Sequence, residues 1–202
     1  MNLNIICLHG FTQNSVIFHK KLSKLLKAND KINLHFLDGS VLLPGEGAPR
    51  AYWTYNAENP LDVSADPYDA NTKMYSIEKS LELFMELAKR LVRVDGIIGF
   101  SQGGCFTDYI CKLHSQGHMP FDLRFAIFIA ARPFEHRTTK IKSVRTLHMY
   151  GTNDIIVPPA TSIELAQCYE HNVILIHPGQ HIVPSNSDAK TAIKTFLAQF
   201  LQ

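Results

Sequence analysis

The sequence predicts an α/β domain in which a mostly parallel sheet of about six strands carries helices on both faces. Two observations lead to this class. Short apolar runs alternate along the chain with longer amphipathic stretches, which is typical of a parallel sheet covered by helices. The chain has 202 residues, of which 46% are hydrophobic and 19% are charged. This length indicates a single domain over residues 1–202, and this composition indicates a globular rather than a disordered protein.

Each predicted element follows from the spacing of its apolar residues. The first strand is the apolar run at residues 5–8. The helix after it places apolar residues on one stripe and most of its lysines outside that stripe, as a half-buried helix does. Ser76 stands where it can cap a later helix, and Asp188 where it can cap the last one. Further strands are predicted at residues 34–37, 97–100, 126–130, 146–150 and 173–176, and helices at 16–27, 77–91, 102–113, 159–169 and 188–200.

One segment breaks this alternation. Residues 39–75 are rich in proline and glycine and show neither a helix nor a strand period. A loop of this length in a compact domain is usually functional or disordered. Its aromatic residues argue against disorder; they include Tyr52, Trp53, Tyr55 and Tyr68. We therefore expect a lid or substrate-covering segment here, the alternative being a surface excursion with a short helical turn or two.

The charge distribution and the cysteines exclude several classes of protein. The net charge is +2 and no stretch gathers like charges, so no nucleic-acid partner is expected. The apolar run near the start is too short for a secretory signal, and no segment is apolar enough to span a membrane. The cysteines form no C-x-x-C pair and are too few for a disulfide scaffold; they are Cys7, Cys105, Cys111 and Cys168. The sequence therefore predicts a cytoplasmic protein with buried thiols.

The clearest chemical motif lies in the middle of the chain. Residues 99–103 read Gly-Phe-Ser-Gln-Gly, which fits the G-x-S-x-G nucleophile elbow. In that motif the serine occupies a strained turn between a strand and a helix, and the flanking glycines allow backbones to approach closely. An apolar run precedes Ser101 and a predicted helix follows it, as the motif requires. Ser101 is therefore the candidate nucleophile, and a capping serine in an ordinary turn is the alternative.

A serine hydroxyl needs a base to take its proton and an acid to orient that base. In this type of fold the chain order is serine, acid, histidine. His181 follows the last predicted strand, at the carboxyl edge where parallel sheets bind ligands, and His177 is its local competitor. Asp154 directly follows the strand at 146–150 and reaches the same edge. Asp188 is the alternative acid, although helix capping also explains its position.

The attacked carbonyl acquires negative charge, so backbone N–H donors must point at it. We expect one donor from the amide of Gln102, directly after the serine. The second is expected from the amide of Phe11, in the loop after the first strand, where Gly10 permits a tight bend. His9 is expected to fix that loop through hydrogen bonds. No metal or other cofactor is expected, because the sequence contains neither H-E-x-x-H nor an early G-x-G-x-x-G.

Four ordered motifs now make the chain resemble the family of small serine hydrolases first described in fungi, which has an ovarian-cancer-associated relative in mammals. Residues 8–11 read Leu-His-Gly-Phe, and residues 99–103 form the elbow. Residues 151–158 contain Gly-Thr-Asn-Asp and Val-Pro, and residues 177–184 read His-Pro-Gly-Gln-His-Ile-Val-Pro. The aromatic stretch at 50–55 also resembles this family, so the likeness spans nearly the whole chain.

The resemblance implies an α/β-hydrolase fold and hydrolysis of a small-molecule acyl ester or thioester without a cofactor. It implies Ser101, Asp154 and His181 as the catalytic residues, and the amides of Phe11 and Gln102 as the oxyanion hole. The Gly-Phe-Ser-Gln-Gly-Gly sequence also occurs in acyl-protein thioesterases, so esters and thioesters both stay open as substrates. A non-catalytic binding protein that retains the fold is the alternative from another class.

The substrate side of the site is expected to involve Thr12, Trp53 and Tyr55. The aromatic content of residues 39–75 favours an acyl chain of medium or greater length. Two departures from the family pattern bear on the shape of the site. Gly104 stands where many members have alanine, and Gln180 replaces a frequent glycine before the histidine. Neither departure removes a group that the chemistry needs.

Overall fold

The computed structural model describes residues 2–27, 29–69 and 71–201. Its strands are β1 (Leu3–Leu8), β2 (Ile32–Leu37), β3 (Val41–Leu42), β4 (Arg50–Ala51), β5 (Gly96–Phe100), β6 (Phe125–Ile129), β7 (Arg145–Gly151) and β8 (Asn172–His177). Its helices are α1 (Ser15–Leu25), α2 (Ile77–Arg90), α3 (Gln102–Ser115), α4 (Pro159–Gln167) and α5 (Ser187–Ala198). Six of the described strands form a parallel sheet in the order β2-β1-β5-β6-β7-β8. The predicted α/β class is confirmed.

Two hydrophobic layers hold the helices against the sheet. On one face, α1 and α5 contribute residues such as Phe18 and Phe196. On the other face, α2, α3 and α4 contribute residues such as Phe84 and Phe106. Strand β1 feeds both layers because successive side chains of a strand point to opposite faces: Leu3, Ile5 and Cys7 face one layer, and Ile6 and Leu8 face the other. Helices therefore cover both faces of the sheet, and the loops at the ends of the strands are available to form a binding site.

The helices are short and the thiols are buried. None of the helices in the described part of the chain combines the length and the apolar composition that a bilayer span requires. All four cysteines are free and buried, which confirms the prediction of buried thiols.

Two predicted helix caps are wrong. Ser76 precedes α2, but its side chain makes no capping hydrogen bond and its backbone is left-handed, with φ of 70°. At the last helix, the Asn186 side chain accepts the hydrogen bond from the Ala189 amide, so Asn186 is the cap and Asp188 lies in the first turn. The asparagine takes this position because its side-chain oxygen reaches the amide three residues ahead.

The segment at 39–75 is more ordered than its composition indicates. Strands β3 and β4 pair antiparallel within it, and Thr54 and Tyr75 exchange two backbone hydrogen bonds of 3.2 and 2.8 Å. Tyr52 and Trp53 are completely buried in the core beside α3. Its described residues, 39–69 and 71–75, contain no helix. Residues 51–54 are therefore buried structure, residues 44–48 are exposed, and the loop between Thr54 and Tyr75 follows them.

A buried carboxylate ties α3 to two neighbouring elements. Asp108 has no solvent exposure, and its oxygens accept hydrogen bonds from both terminal nitrogens of Arg137, at 2.8 and 2.5 Å. It also accepts from the Tyr169 hydroxyl at 2.6 Å and from the Phe134 amide at 2.9 Å. Removing this carboxylate would leave a largely buried guanidinium and a buried hydroxyl without their partner.

We therefore predict that Asp108→Ala lowers the free energy of unfolding by about 3–5 kcal/mol, the range for breaking one side of a buried ion pair. Urea unfolding followed by circular dichroism measures this. The matched control is Glu86→Ala, which removes an exposed carboxylate that pairs with Arg90 at 3.8 Å; we expect it to cost less than about 1 kcal/mol. Equal losses in the two variants would contradict the assigned role of Asp108.

Candidate active site

The serine of the central motif sits on a strained turn. Ser101 lies between the end of β5 and the start of α3, and its φ and ψ are 53° and −116°, in a region that residues other than glycine rarely adopt. Its amide donates to the Ile129 carbonyl of β6 at 2.9 Å. This is the strand-to-helix turn that the nucleophile elbow motif requires.

Both glycines of the motif stand where backbones approach too closely for a β-carbon. At Gly99, such an atom would lie 2.4 Å from the carbonyl oxygen of Gly103. At Gly103, it would lie 2.3 Å from the carbonyl oxygen of Leu8, at the end of β1. The two glycines therefore allow α3 to begin directly against the strands and to fix the turn that carries Ser101.

The structure brings the three predicted side chains together. The Ser101 hydroxyl oxygen lies 2.9 Å from Nε2 of His181, and Nδ1 of His181 lies 2.7 Å from Oδ2 of Asp154. Because an ionised carboxylate only accepts hydrogen bonds, Nδ1 carries the imidazole proton and Nε2 accepts from the serine hydroxyl. The residues come from loops after β5, β7 and β8, which meet at the same edge of the sheet.

The carboxylate in this arrangement is held from a second side. Asp154 is buried, and its Oδ1 accepts hydrogen bonds from the amides of Ile156 and Val157, both at 2.9 Å. Its other oxygen is thereby directed at the imidazole. The His181 ring also contacts the ring of Phe100, with centroids 5.0 Å apart. The imidazole is thus fixed both by a hydrogen bond and by packing.

The alternative histidine and acid lie elsewhere. His177 ends β8, and its Nδ1 accepts from the Gly179 amide at 3.1 Å. Burial lowers the pKa of His177, and the nearby Asp154 carboxylate opposes only part of this effect, so the neutral ring that accepts this bond is favoured. Asp188 lies in the first turn of α5. Both residues therefore serve local structure.

The two residues expected to supply backbone donors lie at the same cavity as Ser101. Phe11 and Gln102 line this cavity together with the serine. The Phe11 amide donates no hydrogen bond within the described residues. Gln102 is the first residue of α3, a position at which the amide has no acceptor inside the helix. Both N–H groups are therefore available to an oxygen bound beside Ser101.

The loop that carries Phe11 is fixed by His9, which has no solvent exposure. Nδ1 of His9 lies 2.8 Å from the Gly10 carbonyl, and Nε2 accepts from the Gly39 amide at 3.0 Å. Its own amide donates to the Tyr52 hydroxyl at 3.0 Å. Burial lowers the pKa of His9 and outweighs the opposing effects of the Gly10 carbonyl and Asp38. The neutral ring, with one donor and one acceptor, fixes the loop as predicted.

The side chain of Gln102 has a role that the sequence reasoning missed. Its Oε1 accepts from the Tyr52 amide at 3.0 Å, and its Nε2 donates to the Trp53 carbonyl at 2.9 Å. Gln102 therefore joins the elbow to the strand-like stretch that follows β4. The G-x-S-x-G motif allows any residue at the position of Gln102, so the motif does not predict this contact with Tyr52 and Trp53.

A cavity of about 360 Å³ opens beside Ser101. Two of the residues expected to contact substrate, Trp53 and Tyr55, line it. Thr12 is not among the residues that line this cavity, and its expected contact with substrate stays a prediction. Its hydroxyl donates to the Phe11 carbonyl at 2.6 Å and its amide to the Arg50 carbonyl at 3.1 Å, so it shapes the loop.

Sequence reasoning also missed other residues of the cavity wall. Arg132 lines it, as do Cys105 of α3 and Val157. The loop between Thr54 and Tyr75 contributes Pro60, Asp62, Val63, Ala65 and Pro67. One signal for Arg132 was present in the sequence, because it stands three residues after β6 and so at the same carboxyl edge as the other site residues.

This fold and this site define a protein of the α/β-hydrolase class, with a serine on a strand-to-helix turn at the carboxyl edge of a parallel sheet. A family profile described as serine hydrolase (FSH1) matches residues 1–193. The chain belongs to this family and is a hydrolase.

Curated relatives agree with this family. Esterase OVCA2 of Danio rerio is 29% identical over 98% of this chain and 97% of its own length, and esterase OVCA2 of Xenopus tropicalis is 30% identical over 98% and 94%. A Schizosaccharomyces pombe protein named dihydrofolate reductase is 30% identical over 96% of this chain. The chain spans about half of that protein, 47% of its length.

Solved structures share the fold at low sequence identity. Acyl-protein thioesterase 2 of Zea mays has a TM-score of 0.72 and 16% identity, over 100% of this chain and 94% of that one. A carboxylesterase from Mesorhizobium loti has a TM-score of 0.68 and 18% identity, over 97% and 88%. Such likeness shows the α/β-hydrolase fold.

We predict that Gln102→Ala lowers kcat/KM for ester substrates by about tenfold, a loss of about 1.4 kcal/mol in transition-state stabilisation. The variant leaves the Tyr52 N–H and the Trp53 carbonyl without their side-chain partner, so this wall of the cavity is held less firmly. Steady-state kinetics on a chromogenic ester measures the effect. Gln116→Ala, an exposed position at the other end of α3, is the control and should match the wild type. A Gln102→Ala enzyme as active as that control would refute the role.

Proposed function

We propose that this serine hydrolase cleaves carboxylic esters through Ser101, His181 and Asp154, by way of an acyl-enzyme. The observation that carries the proposal is the continuous set of hydrogen bonds from the Ser101 hydroxyl through the His181 ring to the Asp154 carboxylate, at 2.9 and 2.7 Å. A neutral serine is a weak nucleophile, and a base at this distance activates it.

In the first half of the reaction, Nε2 of His181 takes the proton of Ser101 while the serine oxygen bonds to the acyl carbon. The carbonyl oxygen becomes an oxyanion, which the amides of Phe11 and Gln102 stabilise. Asp154 holds the imidazole in the required tautomer and stabilises the imidazolium without taking its proton. Fixed amides act strongly here because they need no reorientation as the charge develops.

In the second half, the imidazolium gives its proton to the leaving alcohol, and the bond between this group and the acyl carbon breaks. His181 then takes a proton from water while the water oxygen bonds to the acyl carbon, and the imidazolium gives this proton to the Ser101 oxygen as its bond to the acyl carbon breaks and the acid leaves. A thiol leaving group would follow the same steps, so an acyl thioester is the second candidate substrate. The fold likeness to an acyl-protein thioesterase favours including it.

We propose a single domain in which the loop between Thr54 and Tyr75 covers the substrate. This narrows the expected covering segment from 39–75 to the part that lines the cavity. Loop residues such as Pro60 and Val63 face the cavity together with Trp53 and Tyr55. A small acyl ester or thioester held there has the loop on one side and Ser101 on the other.

Replacing the nucleophile is the first test. We predict that Ser101→Ala lowers kcat on p-nitrophenyl esters and acyl thioesters by roughly 10⁴-fold or more, as for other hydrolases that lose this serine, and abolishes labelling by a fluorophosphonate probe. Ser115→Ala, at the exposed end of the same helix, is the folding control and should keep both. Full labelling of Ser101→Ala would exclude Ser101 as the nucleophile, and a folded wild type that neither labels nor turns over would favour a binding protein.

The walls of the cavity generate a prediction about chain length. Because apolar side chains such as Trp53, Val63 and Val157 line it, each buried methylene of the acyl chain contributes about 0.8 kcal/mol. We therefore expect kcat/KM to be at least about tenfold higher for p-nitrophenyl octanoate than for p-nitrophenyl acetate. Initial rates of nitrophenol release measure the ratio. Equal values for the two esters would contradict an acyl chain of medium length.

A further inference from the structure

One wall of the cavity carries a positive charge that no acid of the described chain neutralises. Arg132 is partly buried and lines the cavity beside Ser101. Among the described residues, no aspartate or glutamate lies within ion-pair distance of its guanidinium. A guanidinium stays protonated at any physiological pH, so this charge is permanent.

Two other partly buried arginines of this protein are paired with buried carboxylates. Arg137 binds the buried carboxylate of Asp108, and Arg124 binds that of Asp95 at 3.1 Å. This is the usual condition, because a sheltered charge is costly unless an opposite charge accompanies it. Arg132 has no such carboxylate beside it in the described part of the chain, and a ligand in the cavity that it lines could supply one.

The protein contacts of Arg132 use only part of its hydrogen-bonding capacity. One terminal nitrogen donates to the Pro133 carbonyl at 2.9 Å, and the other donates to the Tyr55 hydroxyl at 2.8 Å. The guanidinium also lies 5.0 Å from the centre of the Tyr68 ring. A guanidinium has five N–H donors. These neutral contacts orient it between the covering loop and the end of β6 without compensating its charge.

A chain of contacts relates this charge to the serine. Cys105 of α3 stands four residues after Ser101, which occupies the N-cap position of this helix, and so about 6 Å along the helix axis. Its thiol contacts the same Pro133 carbonyl that Arg132 binds, at 3.7 Å. The guanidinium is therefore next to the stretch of wall beyond Ser101 that an acyl chain would follow.

The acidic residue on the cavity wall does not serve as the missing partner. Asp62 accepts hydrogen bonds from the amide and the hydroxyl of Ser64, at 3.0 and 2.6 Å, and from the Asn56 amide group at 3.2 Å. Its oxygens are thus engaged within its own loop.

We infer that Arg132 binds a carboxylate at the far end of the acyl chain, and that the preferred substrates are half-esters or half-thioesters of dicarboxylic acids. The inference rests on the proposed function. A planar guanidinium matches a carboxylate through two parallel hydrogen bonds. The apolar walls would hold the methylenes between the two ends, so the same cavity suits a chain that is apolar in the middle and anionic at its end.

The test compares esters that differ only at the end of the acyl chain. Mono-p-nitrophenyl adipate is paired with p-nitrophenyl hexanoate, and mono-p-nitrophenyl suberate with p-nitrophenyl octanoate. For the wild type we expect kcat/KM to be at least about tenfold higher for the charged member of one pair. In Arg132→Met the ratio should fall below one while turnover of the neutral ester persists. Arg132→Lys, which keeps a point charge without the planar fork, should give an intermediate ratio.

Each ratio is taken within one variant, so a general loss of activity cancels. Arg90→Met removes an exposed arginine of α2 and should leave the ratio unchanged. A wild-type ratio of one or less overturns the inference, even if neither Arg132 variant folds, and so does an unchanged ratio in Arg132→Met. Failure of the wild type to hydrolyse any of the four esters would instead count against the proposed function.

Discussion

The site depends on one backbone constraint, the left-handed conformation of Ser101 between β5 and α3. A serine there can project from the sheet edge only if the helix begins at once, and the helix can begin there only if two backbones nearly touch. Gly99 and Gly103 meet that condition because a β-carbon at either position would collide with a carbonyl oxygen. The strain persists because the packed sheet on one side and α3 on the other determine the turn.

Around this turn, polar side chains connect segments that are distant along the chain. The Tyr52 hydroxyl accepts from the His9 amide and donates to the Leu37 carbonyl at 2.9 Å, while the Gln102 side chain binds the backbone of Tyr52 and Trp53. The loop with the Phe11 amide, the elbow and the start of the cavity wall are thereby one hydrogen-bonded unit. Preorganisation of this kind makes backbone amides effective toward a developing negative charge.

The buried and partly buried charged side chains of the fold differ in the kind of group that each one faces. Asp95 and Asp108 are matched by arginines and join elements of the scaffold. Asp154 faces an imidazole whose other nitrogen lies within hydrogen-bond distance of the Ser101 hydroxyl. Arg132 is oriented by neutral groups at the cavity wall. A charge that the fold orients without compensating is suited to a ligand, because the ligand completes the pair when it binds.

The sequence by itself indicated the class of fold, the positions of the main strands along the chain and the sheet edge at which Ser101, Asp154 and His181 lie together, because apolar periodicity and the ends of successive strands are local properties. It misplaced the cap at Asp188 and did not find Arg132. The sequence also did not indicate the side-chain contacts of Gln102 or the burial of residues 51–54. Those features depend on which loops meet in space, and only the packing of the sheet, the helices and the covering loop decides that.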